Sequence, residues 1–130
     1  MADKLHFSLV SPERELFSGD VNQVDIPGTE GDLGVFPHHS PLMAAIRTGA
    51  ITVYSDTGET QYFVQGGFAD VTPAGLTVLA EKAMPMGDVS ADALQPEIDA
   101  ATEALKDLEG EAALAVRQNL DGLNAIVAGL

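Results

Sequence analysis

The stretch that decides the fold spans residues 50–65 and reads AITVYSDTGETQYFVQ. β-Branched and aromatic residues lie on both sides of a short polar turn that contains Gly58. This pattern is typical of two antiparallel strands joined by a tight turn. The sequence therefore predicts a β-hairpin here, and we expect the segments before and after it to add further strands.

Those further strands are indicated by alternation and by Gly/Pro punctuation. LHFSLVS at 5–11 alternates apolar and polar residues, and VNQVDIP at 21–27 predicts a short strand that ends at its proline. GFADVT at 67–72 and LTVLAE at 76–81 flank a second turn rich in glycine and proline. Several short strands at this spacing, up to about Ala83, favour a β-sandwich or a β-barrel.

The composition changes after Gly87, where alanine becomes abundant and β-branched residues become few. Two series of apolar residues follow at steps of three and four: Leu94, Ile98, Ala101, Leu105 and Leu108, then Val116, Leu120, Leu123 and Val127. Each series predicts a helix with a narrow apolar seam, and the LEGEA break between them predicts an antiparallel hairpin. Pro96 requires either that the first helix starts near it or that the first turn is distorted. We therefore divide the chain into a β domain, 1–87, and a helical hairpin, 88–130.

The charge balance excludes several partners. The 130 residues include 20 acids against 6 lysines and arginines, for a net charge of −14. Such a chain repels nucleic acid and anionic lipid. The sequence has no cysteine, no run long enough to cross a bilayer, and no start typical of a targeting peptide. We expect a soluble protein that reaches a membrane only through its partners.

The sequence supports none of three kinds of chemical site: a phosphate loop, a metal site or a nucleophilic catalytic site. PGTEGDLG at 27–34 is glycine-rich, but Glu30 and Asp32 would repel a phosphate. His38 and His39 are adjacent, so in extended backbone they point to opposite sides, and no metal site is expected. No nucleophile elbow is present, and three histidines make a catalytic triad improbable. The sequence thus predicts no catalytic residue and no cofactor, and it favours a binding or mechanical role.

Three motifs together resemble the epsilon subunit of F-type ATP synthases. They are ELFSGDV at 15–21, IPGTEGDLGVFPHHSPLMAAIRTGAI at 26–51, and FVQGGFADVTPAGLTVLAE at 63–81. Their order and spacing resemble the family along essentially the whole chain. The resemblance implies an all-β sandwich of about ten strands followed by a C-terminal antiparallel α-helical hairpin.

The resemblance also implies a place and partners. A subunit of this family is a non-catalytic rotor component that joins the gamma shaft to the ring of membrane proteolipid subunits, so that proton-driven rotation reaches the catalytic head. In a bacterium it lies at the inner membrane, peripheral on the cytoplasmic side. The ring-contact loop would be Thr29, Glu30, Gly31 and Asp32, and the gamma-contact residues would be Ser11, Phe17, His39, Leu42 and Ala45. For Phe17 and Leu42 an ordinary core position is an open alternative, as is a turn-stabilising hydrogen bond for His39.

The sequence departs from the family at the helical hairpin. Some members bind ATP through an Ile/Leu-Asp-x-x-Arg-Ala motif, whereas residues 89–94 read VSADAL, with Ser90 in place of the Asp and Ala93 in place of the Arg. Without that guanidinium we expect weak or absent nucleotide binding. The family's inhibitory contact with the catalytic head uses basic residues, but Lys106 and Arg117 are the only ones in this acidic hairpin. We therefore expect a weak inhibitor.

One alternative belongs to another functional class. A free-standing β-sandwich recognition module with a helical dimerisation tail would use the same elements without a gamma partner. Its helical seam would pair between two chains and not within one. Size-exclusion chromatography separates the two hypotheses, because the rotor subunit would be a monomer and the module an elongated dimer.

Overall fold

The computed structural model describes residues 4–130, which form eight strands, one turn of 3-10 helix and two α-helices. The strands are β1 (Leu5–Val10), β2 (Glu15–Val21), β3 (Gln23–Gly28), β4 (Gly31–Val35), β5 (Leu42–Ala45), β6 (Gly49–Ser55), β7 (Gly58–Val71) and β8 (Gly75–Pro85). The 3-10 turn covers Met86–Asp88, and the helices are α1 (Ala91–Ala104) and α2 (Gly110–Ala128). The predicted β-sandwich followed by a helical hairpin is confirmed.

The sheet path runs β2-β1-β8-β7-β6-β3-β4, with β5 paired to β7 off this path. β7 pairs with β6 along its first half and with β5 along its second half. β8 pairs with β7 along most of its length, whereas its first part also pairs with β1. The two longest strands therefore serve both layers of the sandwich. This continuity explains why residues 4–130 show eight strands where about ten were expected.

The bend in β7 lies at a pair of glycines. Gln65 pairs with Lys82 and Gly67 pairs with Ala80, so the ladder is interrupted at Gly66. Gly66 has φ 69° and Gly67 has φ 121°, in the region that favours glycine. A Cβ on Gly67 would lie 2.0 Å from the Leu79 carbonyl oxygen. Only glycine allows this close approach, which lets one strand turn from one layer to the other.

The main core lies between the two layers and comes from strand alternation. In β1, Leu5, Phe7 and Leu9 are buried, as the sequence pattern predicted. The predicted hairpin is confirmed as β6–β7, in which Ser55 pairs with Gly58. Further buried residues of this core include Val24, Ile26, Val35, Ile51, Val53, Val64, Leu76 and Val78.

The helical hairpin packs on the outer face of the sandwich through a second apolar cluster. Phe63 of the sheet is buried there against Leu94, Leu123 and Ile126 of the helices. α1 and α2 also pack on each other, so the apolar seam is closed within one chain. This arrangement is the one that the rotor-subunit hypothesis requires, and the dimerising module would have needed a seam open to a second chain.

Three details of the helices differ from the sequence prediction. α1 begins five residues before Pro96, which therefore lies inside the helix and removes one backbone N–H donor. α1 ends at Ala104, so Leu108 lies beyond it and does not extend the seam. Ile126 is buried although it was not in the predicted seam, because α2 faces both α1 and the sheet.

Candidate functional site

An exposed apolar row crosses four strands of the sandwich. Ala45, Phe68 and Leu79 are register partners across β5, β7 and β8, and Val10 of β1 is the next partner of Leu79. Phe68 is 57% exposed and Leu79 is 56% exposed. Met43, two residues before Ala45 and thus on the same face, is 68% exposed. We call these five residues the apolar face; Val10 and Ala45 are half-buried within it, and the exposed Asp70, the register partner of Met43, lies at its border. Large exposed apolar side chains grouped in this way mark a protein interaction site.

Two of the sequence-predicted gamma-contact residues lie at this face. Ala45 belongs to the row itself. Ser11 lines a depression of about 310 Å³ together with Val10, Phe68 and Leu79. The Ser11 side chain is buried, and its hydroxyl donates to the Arg14 carbonyl at 3.2 Å. Ser11 therefore shapes the border of the apolar face mainly through the turn that it stabilises.

The other three predicted contacts lie elsewhere. The Phe17 ring packs on Phe7, with centroids 5.5 Å apart, and on Tyr62, at 6.4 Å. Nδ1 of His39 lies 2.7 Å from the Ser40 carbonyl oxygen and donates to it in the protonated-Nδ1 form. Leu42 pairs with the buried Val71 and is 40% exposed, because β5 is an edge strand. Phe17 and His39 thus make the contacts of a core residue and of a turn, respectively.

Sequence reasoning missed Met43, Phe68 and Leu79. The available signal was one large apolar residue, Phe68 or Leu79, on the strand face that otherwise holds the polar Asp70 and Thr77. In the structure both apolar side chains are exposed on that face.

The predicted ring-contact residues form the tip between β3 and β4. Gly28 pairs with Gly31, which closes a two-residue turn of Thr29 and Glu30. Gly31 has φ 134°, and a Cβ on Gly28 would lie 2.6 Å from the Gly31 carbonyl oxygen. The turn is therefore built around two glycines. We call Thr29–Asp32 the tip loop.

The tip loop and β5 enclose a groove of about 480 Å³. Its apolar wall includes Leu33, Leu42 and Met43, and the Thr29 backbone N–H donates to the Ala45 carbonyl at 2.9 Å. The structure thus brings the predicted ring-contact residues next to two of the predicted gamma-contact residues. Met43 belongs to both the groove and the apolar face, so the two surfaces are continuous.

The two acids of the tip loop differ in their partners. Arg47 Nη2 donates to Asp32 Oδ1 at 2.5 Å, and this ion pair neutralises Asp32 within the chain. Glu30 is exposed, and the ion pairs found within residues 4–130 do not include it. Glu30 is therefore the tip-loop acid whose charge is available to a partner.

Two further polar clusters join strands to each other, and each shifts the pKa of one of its members, Tyr54 or Asp56. The Tyr54 hydroxyl donates to Asp25 Oδ2 at 2.9 Å, and this hydrogen bond raises the pKa of Tyr54. Lys4 Nζ lies 2.8 Å from Asp56 Oδ1 and holds the pKa of Asp56 below its usual value, with help from Asn22. Both clusters join residues far apart in the chain.

Ser90 and Ala93, the two positions of the nucleotide motif, meet at the start of α1. The Ser90 hydroxyl accepts a hydrogen bond from the Ala93 N–H at 3.2 Å, so Ser90 is the N-cap of the helix. Neither side chain supplies a positive charge. Within residues 4–130 no group of three His, Asp or Glu side chains is placed to hold a metal ion. Neither helix has the length and hydropathy that spanning a bilayer requires.

Comparison with known proteins points to one family. A family model described as ATP synthase, Delta/Epsilon chain, beta-sandwich domain matches residues 4–86. The ATP synthase epsilon chain of Maricaulis maris is 51% identical over 132 residues, covering 98% of this chain and 99% of that relative. The epsilon chain of Hyphomonas neptunium is 48% identical over 134 residues, with the same coverage. The epsilon chain of Caulobacter vibrioides is 57% identical over 81 residues, which span 62% of this chain but 94% of that shorter relative.

Solved structures agree on the fold. A chain of the Euglena gracilis mitochondrial ATP synthase, in a cryo-EM structure of OSCP/F1/c-ring, aligns with a TM-score of 0.78 at 19% identity, covering 97% of this chain and 81% of that one. A chain of the Tetrahymena thermophila mitochondrial ATP synthase central stalk and c-ring aligns with a TM-score of 0.72 at 12% identity, covering 96% and 97%. The chain therefore belongs to the ATP synthase epsilon chain family, and it is a non-catalytic subunit of the F-type ATP synthase.

Proposed function

We propose that this chain is a central-stalk subunit that couples rotation of the membrane proteolipid ring to the gamma shaft. The observation that carries the proposal is the apolar face, which an isolated soluble protein would not keep exposed without a partner. Support comes from epsilon-chain relatives of about half identity and from a shared fold with chains of complexes described as central stalk and c-ring.

The apolar face is the proposed gamma-binding surface. Burying a side chain such as Phe68 or Leu79 contributes about 1.5–3 kcal/mol before the costs of association. No charged residue interrupts the row from Ala45 through Phe68 and Leu79 to Val10. Affinity for gamma would therefore come from apolar burial, with Ser11 and Leu42 at the borders of the contact. Phe17 and His39 keep the core and turn contacts described above and are left out of the proposed contact.

The tip loop is the proposed ring-binding surface. It is a turn at one end of the sandwich, with Glu30 as its unpaired acid. A basic side chain on the ring would complement Glu30, and such an exposed pair contributes only about 0.2–1 kcal/mol. The tip loop would thus orient the subunit on the ring more than it would hold it there. In this proposal the subunit is peripheral to the bacterial inner membrane, on the cytoplasmic side, and protons drive the ring.

The hairpin is proposed to be a weak inhibitor and a weak or absent nucleotide binder. The lack of a basic side chain at Ser90 and Ala93 supports the second statement. The first is supported by the acidity of the hairpin, in which Lys106 already pairs with Glu103 at 3.0 Å. We also propose that the domain boundary lies at Gly87, between the end of β8 and the start of α1. Deletion of the residues after Gly87 should leave ATP hydrolysis by the assembled enzyme nearly unchanged; a severalfold rise would contradict this.

The test of the main proposal is co-purification. Tagged full-length chain is expressed with the gamma subunit, and the expected result is a complex with one copy of each. Addition of detergent-solubilised ring subunits should give a ternary complex. Failure to capture gamma, with this chain folded and monomeric, would overturn the proposal.

A further inference from the structure

The helical hairpin contacts the tip loop directly. Gln118 Nε2 of α2 donates to the Thr29 carbonyl oxygen at 2.8 Å, across 89 residues of sequence. This hydrogen bond reaches the turn residue that begins the tip loop, and the Thr29 N–H is already engaged by Ala45. Both backbone groups of Thr29 are thus held, one by the sandwich and one by the hairpin.

α2 reaches the tip loop because a glycine lets it lie close to the sheet. A Cβ on Gly122 would stand 2.2 Å from the Thr48 carbonyl oxygen, a distance that a real side chain cannot adopt. One helical turn earlier, Asn119 Oδ1 accepts from the Thr48 hydroxyl at 2.5 Å and lies 3.4 Å from Gln65 Nε2. Gln118, Asn119 and Gly122 therefore lie on one side of α2 and face the sandwich.

The segment under α2 also holds the tip loop. Arg47, next to Thr48, donates its backbone N–H to the Pro27 carbonyl at 2.8 Å and its guanidinium to Asp32. Ala45 accepts from Thr29. The four residues 45–48 thus contact the base of the tip loop on one side and α2, through Thr48, on the other. Both sets of contacts therefore depend on the same short stretch of backbone.

We propose that docking of the helical hairpin and order of the tip loop are thermodynamically linked. When α2 dissociates from Thr48, Thr29 loses the Gln118 hydrogen bond and the tip loop becomes less ordered. By reciprocity, a ligand that orders the tip loop stabilises the docked hairpin by the same factor. The linkage is a property of the isolated chain. Only its consequence, that the ring favours the docked hairpin, rests on the proposed function.

Hydrogen exchange in the isolated full-length chain tests the linkage. The reporter is the Thr29 amide, and the reference for global opening is the Phe7 amide of β1, the strand between β2 and β8. Gln118→Ala removes the donor to the tip loop. Gln95→Ala is the matched control, because Gln95 is an exposed α1 glutamine bonded only within its own helix, to Asp99. Gly122→Leu should displace the whole of α2 from Thr48 and the sandwich surface.

The expected result is an increase in Thr29 exchange of about two- to tenfold in Gln118→Ala, the range for loss of one hydrogen bond. We expect a larger increase in Gly122→Leu and none in Gln95→Ala. In Gln118→Ala the Phe7 amide should accelerate by no more than the factor seen at Thr29, because global opening also breaks the lost hydrogen bond, and in Gln95→Ala it should not change. Equal Thr29 exchange in Gln118→Ala and the unsubstituted chain would overturn the linkage, as would an equal increase in Gln95→Ala. If Gly122→Leu accelerates exchange of the Phe7 and Thr29 amides equally, the variant has lost global stability. The comparison of Gln118→Ala with Gln95→Ala then decides whether the linkage exists. No ring or gamma subunit is present, so neither outcome depends on the proposed function.

Discussion

The guanidinium of Arg47 neutralises the Asp32 carboxylate, with Nη2 and Oδ1 2.5 Å apart. Two acids that look equivalent in the sequence therefore have different roles. Asp32 is paired with Arg47, which lies next to Thr48, the residue that α2 contacts. Glu30 projects from the turn, and its charge is unpaired within residues 4–130. A partner at the tip loop would meet Glu30 as an unpaired charge and Asp32 as part of an exposed ion pair.

Charge reversal at Glu30 should weaken the ring contact. We expect Glu30→Lys to lower the affinity of the gamma complex for the ring by about 0.2–1 kcal/mol, more at low salt, because the exposed charge is screened. The control is Glu59→Lys, another exposed acid, at the start of β7 next to the β6–β7 turn. The measurement is ring capture at several salt concentrations. A loss that does not depend on salt, or an equal loss in the control, would show that the Glu30 charge is not the cause.

A charge on the apolar face should prevent gamma binding without unfolding the chain. We expect Phe68→Glu to weaken gamma binding by about 2 kcal/mol or more, the range for a central interface residue. Leu114→Glu is the control, because Leu114 is 67% exposed on α2, away from the face. Calorimetric titration with gamma measures both variants. Similar affinity of Phe68→Glu and the unsubstituted chain would place the gamma contact elsewhere.

Gly122→Ala should destabilise the chain although it improves helix propensity. Alanine favours a helix by about 1 kcal/mol over glycine. The added Cβ, however, would lie 2.2 Å from the Thr48 carbonyl oxygen, and a backbone atom cannot give way cheaply. We expect a lower urea midpoint for Gly122→Ala and an unchanged or higher one for Asp121→Ala, the exposed neighbour. Stabilisation by Gly122→Ala would mean that α2 does not sit on Thr48.

The Tyr54 phenol should titrate above its ordinary pKa of 10.0, chiefly because it donates to Asp25. A raised pKa means that the folded state holds the proton more tightly than the unfolded state. The contribution of Tyr54 to stability is therefore complete below pH 10 and is lost as the pH rises through the folded-state value. Absorbance titration should show a lower pKa for Tyr54 in Asp25→Ala. The pKa of Tyr54 should change less in Glu59→Ala, since Glu59 acts on the phenol only through a weak Coulombic repulsion. Tyr54→Phe identifies the Tyr54 step, and an unchanged step in Asp25→Ala would contradict the assignment.

ATP should bind weakly or not at all. We expect a dissociation constant of about 1 mM or weaker by calorimetry, because neither Ser90 nor Ala93 offers a cation to the triphosphate. The variant Ser90→Asp with Ala93→Arg should bind more tightly, because Asp also caps a helix and Arg restores the charge. Micromolar affinity of the unsubstituted chain would contradict the prediction.

Much of the architecture could be predicted from local pattern. Alternation placed Leu5, Phe7 and Leu9 in the core, and the turn at Gly58 placed the β6–β7 hairpin, because a period of two and a glycine turn are local properties of the chain. The end of α1 could not be predicted in the same way. Leu105 and Leu108 continue the spacing of the seam, yet the helix ends at Ala104. Apolar spacing does not encode where the chain must turn to bring α2 onto the sheet.

The sequence by itself determined the order of the elements, the acidic surface, the family, and the residues of the tip loop, because each follows from residue type and short-range spacing. Only the tertiary structure decided which apolar residues stay uncovered. Phe68 and Phe63 lie five residues apart in one strand, but the interruption of the β7–β8 ladder at Gly66 and the hairpin over Phe63 leave Phe68 exposed and Phe63 buried. It also decided that Arg47 neutralises Asp32 and that Gln118 reaches Thr29. These pairs lie far apart in the chain, and their meeting depends on how sheets and helices pack, which no local pattern records.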